Sequence, residues 1–255
     1  MTKSELFAVF RALHRKGDPL ILPNVWDAGS AKAVADAGAE ALATSSWAVA
    51  AAHGFGDGEH VPLPFVIANL GRIDAVSNLP VTVDYERGYG GTLTELGASF
   101  GQLFATCAVG CNLEDGMSDD DMRPVEEQAG RIGAARKLSD ATAPGFFINA
   151  RTDLFLCTSP ERHADQKIVG EAIERARAYQ KAGADGFFVP GLTDLSVLRA
   201  LVQATDLPIN VMAGDEAIDG YAQAGVARVS FGPLPYLKAV GALGQFSADR
   251  LVPRA

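Results

Sequence analysis

The chain has 255 residues, 48% of them apolar and 21% charged, with a formal net charge of −9. That composition supplies a sizeable core, excludes a disordered or low-complexity chain, and argues against a nucleic-acid-binding surface. The N-terminus lacks the apolar stretch of a signal peptide or membrane helix, and the cysteines (Cys107, Cys111 and Cys157) lack a framework spacing, so a cytoplasmic, reducing setting is expected.

Along the chain, short apolar runs alternate with amphipathic stretches. Strands are predicted over 20–23, 39–44, 81–84, 111–114, 146–150, 186–189, 209–212 and 228–231. Helices are predicted over 28–37, 66–77, 94–108, 125–139, 168–182, 195–204, 218–224 and 234–243. Ala37-Gly-Ala39, Ala182-Gly-Ala184 and Ala224-Gly-Val226 each put a glycine where a helix would end in a left-handed cap. Eight strand–helix units with near-continuous apolar strands predict one domain, a (β/α)8 TIM-type barrel over 1–255. A doubly wound open sheet is the alternative; no Gly-x-Gly-x-x-Gly follows the first strand, which weakens its dinucleotide-binding form.

In a parallel barrel the chemistry gathers at the C-terminal ends of the strands. Strand one ends in Asn24-Val-Trp-Asp27, strand two in Thr44-Ser-Ser46, strand three in Asp84 and Glu86, strand four in Glu114 and Asp115, and strand five in Asn149-Ala-Arg-Thr-Asp153. The last three strand ends are small or Gly/Pro-rich. By strand alternation Asp84 and Glu86 point the same way, and two carboxylates so placed call for a cation or a proton between them. Hard oxygen ligands suit Mg2+ or Mn2+; the plainer reading is that strand-end acids cap the helices that follow. Arg151 has the fixed fork of donors that grips a carboxylate, or pairs with a site acid. Ser45 and Ser46, with the amides after them, suit an oxyanion or merely cap a turn. Asp57, in the glycine-rich Phe55-Gly-Asp-Gly-Glu59, is a mobile acid or a turn residue. His53, His60 and His163 lie in polar stretches and are expected at the surface.

The pattern resembles the isocitrate lyase/phosphoenolpyruvate mutase superfamily. The resemblance rests on Asn24-Val-Trp-Asp-Ala-Gly-Ser30, Thr44-Ser-Ser46, Gly54-Phe-Gly-Asp-Gly-Glu59, Val83-Asp-Tyr-Glu-Arg-Gly-Tyr-Gly90, Asn112-Leu-Glu-Asp115 and Ile148-Asn-Ala-Arg-Thr-Asp153, in that order. It implies an α/β barrel that binds Mg2+ beside an enolpyruvate or 2-oxo-acid group and makes or breaks a C–C or P–C bond. It implies metal ligands at Asp84, Glu86 and Glu114. It also implies a loop acid at Asp57, substrate contacts at Ser45, Ser46, Trp47, Asp84 and Arg151, and catalytic roles for Asp57, Glu86 and Arg151. A homodimer or homotetramer is implied as well.

Two departures bear on the reaction. Isocitrate and methylisocitrate lyases of this kind carry a Lys-Lys/Arg-Cys-Gly-His loop after the fourth strand. Here that loop reads Glu114-Asp-Gly-Met-Ser-Asp-Asp-Asp-Met-Arg-Pro124, without Cys, Lys or His. Phosphoenolpyruvate mutases carry a Lys-x-Asn-type pair there, and an acidic loop suits a phosphonate poorly. The leading expectation is a Mg2+-dependent lyase acting beside the carbonyl of a small 2-oxo or 2-hydroxy carboxylate, oxaloacetate decarboxylase-like or substituted-malate lyase-like. Phosphonate chemistry (mutase or phosphonopyruvate hydrolase) and a non-catalytic 2-oxo-acid-binding barrel are the alternatives.

Overall fold

A computed structural model describes residues 1–118, 121–214 and 218–251. Its main sheet runs, in spatial order, from β1 (Leu20–Leu22) through β11 (Arg228–Ser230), β10 (Ile209–Met212), β9 (Gly186–Phe188), β8 (Phe147–Arg151), β5 (Ala108–Glu114), β4 (Val81–Asp84) and β3 (Leu42–Thr44) to β2 (Asn24–Val25). All pairings are parallel. The two ends of that series, β1 and β2, are consecutive in the chain, so the sheet closes into the expected barrel at Pro23. A proline has no N–H to give a ladder, and it divides the predicted 20–23 strand: β1 pairs with β11 and β2 with β3.

Ten helices accompany these strands among the described residues. Those between strands are α2 (Ala28–Asp36), α3 (Ser46–Ala52), α4 (Leu63–Asp74), α5 (Leu93–Phe104), α6 (Val125–Thr142), α7 (Gln166–Ala182), α8 (Leu195–Ala204) and α9 (Asp219–Gln223); α1 (Lys3–Ala12) and α10 (Leu234–Ala248) lie at the two ends. Their starts are chemically marked: Thr2 and Glu5 form a capping box on α1, Thr92 and Glu95 another on α5, and Asp194 caps α8. The predicted cap glycines Gly38, Gly183 and Gly225 all adopt positive φ, at 96°, 99° and 89°. None of the described helices is long and apolar enough to cross a membrane.

Several boundaries differ from expectation. Strand β5 begins at Ala108 rather than 111, because α5 already ends at Phe104. The 39–44 strand shortens to Leu42–Thr44 after the Gly38 turn. Helices α1 and α3 were not predicted, and neither was an antiparallel hairpin of β6 (Gly116–Ser118) with β7 (Asp121–Met122). Helix α1 packs on the start of β8, Phe10 edge-on to Phe147 at 5.5 Å and His14 stacked on the same ring at 4.3 Å. His163, expected at the surface, is buried: its Nε2 lies 2.9 Å from the Thr158 carbonyl and its ring is edge-on to Phe155.

Candidate active site

Barrel register decides which strand-end residues meet. Asp84, Asn112 and Asn149 lie in one rung across β4, β5 and β8, and Glu114, Arg151 and Phe188 in the next across β5, β8 and β9. Cross-strand neighbours in one rung are within side-chain reach. Accordingly Asn112 Nδ2 donates to Asp84 Oδ1 at 3.3 Å, and Asn149 Nδ2 donates to Asn112 Oδ1 at 2.9 Å. One rung on, Arg151 Nη1 stands 3.0 Å from Glu114 Oε2, and its guanidinium lies 5.9 Å from the Phe188 ring centroid.

Asp84 is held from the neighbouring strand end. Its backbone N–H donates to Thr44 Oγ1, and its Oδ2 accepts from the Ser46 N–H and hydroxyl at 3.2 and 2.9 Å. Ser45 serves as the N-cap of α3, its hydroxyl accepting from the Ala48 N–H at 3.4 Å. Trp47, 38% exposed, stands edge-on to Tyr236 at the start of α10.

Arg151 is doubly committed, to Glu114 and, through Nε, to Asp153 Oδ1 at 2.6 Å. Nη2 is left without a partner among the described residues. Burial opposes the Arg151 charge, but the Glu114 and Asp153 carboxylates outweigh it and raise its pKa. Burial pushes the Glu114 carboxyl up, with Arg151 opposing. Asp57 has the accessible surface of an exposed residue, yet surrounding atoms shield its carboxyl; that desolvation, then the Asp84 charge, raises its pKa.

Glu86 departs from strand alternation. Strand β4 ends at Asp84, and Glu86 takes a left-handed φ of 48°, which swings its carboxylate towards the 57–59 segment. There Oε2 accepts from the Gly58 and Glu59 N–H groups at 2.8 and 2.5 Å, and Oε1 accepts from the Tyr89 hydroxyl at 2.9 Å. Burial raises its pKa to about 7, with the Glu59 amide opposing and Asp84 and Asp57 adding to the rise.

Two adjoining hollows open at this end of the barrel. The mouth cavity, about 190 Å³, is lined by Ser45, Ser46, Trp47, Asp57, Asp84 and Arg151, with Phe188, Pro190 and Met212 as apolar wall. The neighbouring cleft, about 420 Å³, shares Asp57 and Arg151 and adds Glu114, Asp153 and Arg87. Glu86 lines neither; it borders a void of about 20 Å³ with Asp84 and Tyr89. Thus Asp57, Asp84, Arg151, Ser45, Ser46 and Trp47 share one cavity, Glu114 lies across Arg151 from it, and Glu86 lies beneath the 57–59 segment.

Among the described residues no three His, Cys, Asp or Glu side chains converge as a ready metal cage. Mg2+ does not require one, since it keeps several waters and takes one or two carboxylates. Asp84, a hard-oxygen donor lining the mouth cavity between neutral hydrogen-bond donors, fits that demand, with Glu114 as a second carboxylate nearby. Glu86, which lines neither hollow and turns its carboxylate to the 57–59 amides and the Tyr89 hydroxyl, does not. Of the acidic loop after β5, Met117 and Ser118 edge the cleft, while Asp119 and Asp120 lie outside the described residues.

Sequence reasoning missed the supporting layer. Asn210 accepts from Asn149, and Arg228 Nη2 lies 3.4 Å from Asn112 Oδ1, so an amide lattice floors the mouth. Asn24 Oδ1 accepts from the Phe231 and Gly232 N–H groups, joining the last strand end to the first. The available signal was periodic: Asn24, Asn112, Asn149 and Asn210 each interrupt an apolar strand one or two residues before its end.

Known proteins resemble this chain over most of its length. The family profile described as phosphoenolpyruvate phosphomutase matches residues 10–251. A 2-methylisocitrate lyase of Escherichia coli (strain K12) is 32% identical over 209 residues, covering 78% of this chain and 67% of the relative. An oxaloacetate decarboxylase of Pseudomonas paraeruginosa (strain DSM 24068 / PA7) is 30% identical over 255 aligned positions, covering 93% and 83%. The crystal structure of a Burkholderia cenocepacia J2315 protein, provisionally described as a phosphonomutase, superposes with a TM-score of 0.93 at 47% identity, covering 97% of this chain and 99% of that one.

Proposed function

The chain belongs to the phosphoenolpyruvate phosphomutase family of lyases and mutases, and on that premise we propose that it is a Mg2+- or Mn2+-dependent lyase. Its reaction would cleave or form the C–C bond beside the carbonyl of a small 2-oxo or 2-hydroxy carboxylate. The observation that carries this reading is the charge of the mouth cavity. Arg151 is its one cationic lining residue among those described, against the acids Asp57 and Asp84. One guanidinium with one free donor edge matches one carboxylate. A phosphonate carries more negative charge and would meet the flanking acids Glu114 and Asp153 as well.

In this reading Arg151 Nη2 binds the substrate carboxylate, and the guanidinium is oriented for it by Glu114 and Asp153. Asp84 would hold the metal, with Glu114 as the second carboxylate; a bound divalent cation supplies stabilisation of the enolate charge that develops as the bond breaks. Ser46 fixes the direction of Asp84, and Trp47 with Phe188 and Met212 limits water around the reacting carbon. Asp57, its carboxyl biased towards protonation by shielding, is the acid that returns a proton to that carbon. For a decarboxylation the electron pair of the broken C–C bond becomes the enolate, CO2 leaves, and the Asp57 proton completes the product.

The test is product release from oxaloacetate, substituted malates and phosphonopyruvate in the presence of Mg2+, with pyruvate followed by a coupled dehydrogenase and phosphoenolpyruvate by the same coupling after addition of pyruvate kinase and ADP. Turnover of the carbon acids alone is expected. Turnover of phosphonopyruvate alone would instead establish the P–C reading, which the 47% identical structure favours by its provisional description. Binding of oxalate without turnover of any substrate would mark a non-catalytic barrel.

A homodimer or homotetramer in the cytoplasm completes the proposal. Helix α10 leaves Leu237, Val240, Leu243 and Phe246 exposed, apolar surface suited to a second copy. Light scattering behind size exclusion should give twice or four times the 26.7 kDa chain mass, and a single-chain mass would remove this part.

A further inference from the structure

The three non-glycine residues with positive φ among the described residues are Glu59, Glu86 and Tyr89, at 65°, 48° and 54°. All three belong to one contact between the 57–59 segment and the turn after β4. Left-handed backbone at residues with a Cβ is costly, and it persists where surrounding interactions over-determine it. Here those interactions are reciprocal. Glu86 accepts from the Gly58 and Glu59 amides at 2.8 and 2.5 Å and from the Tyr89 hydroxyl at 2.9 Å. In return Glu59 Oε1 accepts from the Tyr89 N–H at 2.6 Å, and Arg87 Nη2 donates to the Gly58 carbonyl at 2.6 Å. Gly58 sits at φ 94°, a backbone that residues with a Cβ rarely adopt, and a Cβ there would crowd Arg87 Nη2 at 3.2 Å.

We infer that Glu86 is a positioning residue, the latch that holds the 57–59 segment against the barrel and thereby sets Asp57 at the rim of the mouth cavity, and that it is not a metal ligand. A carboxylate that accepts two consecutive amides and a hydroxyl has its oxygens turned to the protein, away from both hollows that Asp84 and Glu114 line. The extra methylene of Glu relative to Asp, together with the left-handed turn, is what lets it reach the amides. The Arg87 bridge extends the latch, since Nη1 donates to the Met117 carbonyl of the β6–β7 hairpin at 2.7 Å. The segment bearing Asp57 and the hairpin edging the cleft are thus tied to one turn. The role given to Asp57 rests on the proposed lyase reading; the latch itself does not.

The experiment compares wild type, Glu86→Gln and Asp84→Asn by calorimetric titration with Mg2+ and by hydrogen exchange of residues 55–60. Glu86→Gln keeps one oxygen for the two amides, which Oε2 alone accepts, and can turn its NH2 to the Tyr89 hydroxyl, so what it removes is the carboxylate charge that strengthens both amide contacts. Exchange of the Gly58 and Glu59 amides should then accelerate by at least about tenfold, while the Mg2+ affinity stays within about threefold of wild type, less than one hydrogen bond is worth. Asp84→Asn should do the reverse. Tyr89→Phe, which removes one donor and nothing else, should give a smaller acceleration and guards against a Glu86 variant that does not fold. Loss of Mg2+ binding in Glu86→Gln with unchanged exchange in both latch variants would overturn the inference. If wild type itself binds no Mg2+, the metal part of the proposed function fails, and the exchange arm still decides the latch.

Discussion

Ser46 gives two hydrogen bonds to a single oxygen of Asp84, from its N–H at 3.2 Å and its hydroxyl at 2.9 Å, while Asn112 reaches the other oxygen at 3.3 Å. All three donors are neutral, so Asp84 is fixed in direction without being neutralised. A carboxylate so prepared loses little entropy when it takes a cation. Asp84→Asn keeps the shape and removes the charge. In wild type, Mg2+ at a hundredfold its Kd should stabilise the fold by about 2.7 kcal/mol. In the Asn variant that thermal shift should vanish and kcat/KM fall by at least about a hundredfold. An undiminished Mg2+ shift in differential scanning fluorimetry would remove Asp84 from the metal site.

Arg151 has a binding and a supporting duty in one side chain. Its Nη1 and Nε are spent on Glu114 and Asp153, at 3.0 and 2.6 Å. Lysine would keep the charge but cannot span two acids and a ligand with one ammonium. Arg151→Lys should raise KM for the carbon acid by about a hundredfold, about 2.7 kcal/mol, with a smaller change in kcat. Steady-state kinetics decide it: an unchanged KM means that the substrate carboxylate is held elsewhere.

Much of this arrangement was legible in the sequence. Eight apolar runs ending in small or polar residues defined the barrel, and each run's end marked the functional face. What the one-dimensional pattern could not hold was geometry after the strand stops. Alternation places Glu86 on the side of Asp84 only while the backbone stays extended, and a φ of 48° at Glu86 cancels it. Helix α3 was hidden because Ser46-Trp-Ala-Val-Ala-Ala-Ala52 is too short to show a helical period. Asp115 shows the opposite case: alternation was enough to turn it outward from Glu114, away from the mouth and into a buried network.

His14 makes the fold sensitive to acid. Burial, with the Arg228 charge adding, lowers its pKa from 6.5 to about 3. The folded state therefore resists the proton that the unfolded chain accepts. The stability tied to a neutral His14 is complete above pH 6.5 and is lost as pH falls from there towards about 3, at about 1.4 kcal/mol per pH unit. His14→Phe, stacked on Phe147 in the same place, should show a shallower loss between pH 6 and pH 4 in urea unfolding (about 1 kcal/mol or more less per unit). Parallel curves for the two proteins would mean that other groups govern the acid limb.

Arg175 connects that buried network to the site. Asp115, fully buried, accepts from Arg175 Nη1 at 2.9 Å, from the Tyr179 hydroxyl at 2.7 Å and from the Asp153 N–H at 2.9 Å. The last of these anchors the backbone of the residue that orients Arg151. Arg175→Met would leave a carboxylate in the interior without its cation, which costs about 3–5 kcal/mol, or a fall in Tm of roughly 10 °C for a chain of this size. Tyr179→Phe removes one neutral donor and should cost only about 1–2 kcal/mol. Because Asp153 shifts with Asp115, Arg175→Met should also raise KM at temperatures where it remains folded, whereas Tyr179→Phe should leave KM near wild type. Equal KM values in both variants, beside the expected stability loss, would separate the network from the site and make Asp115 a purely structural acid.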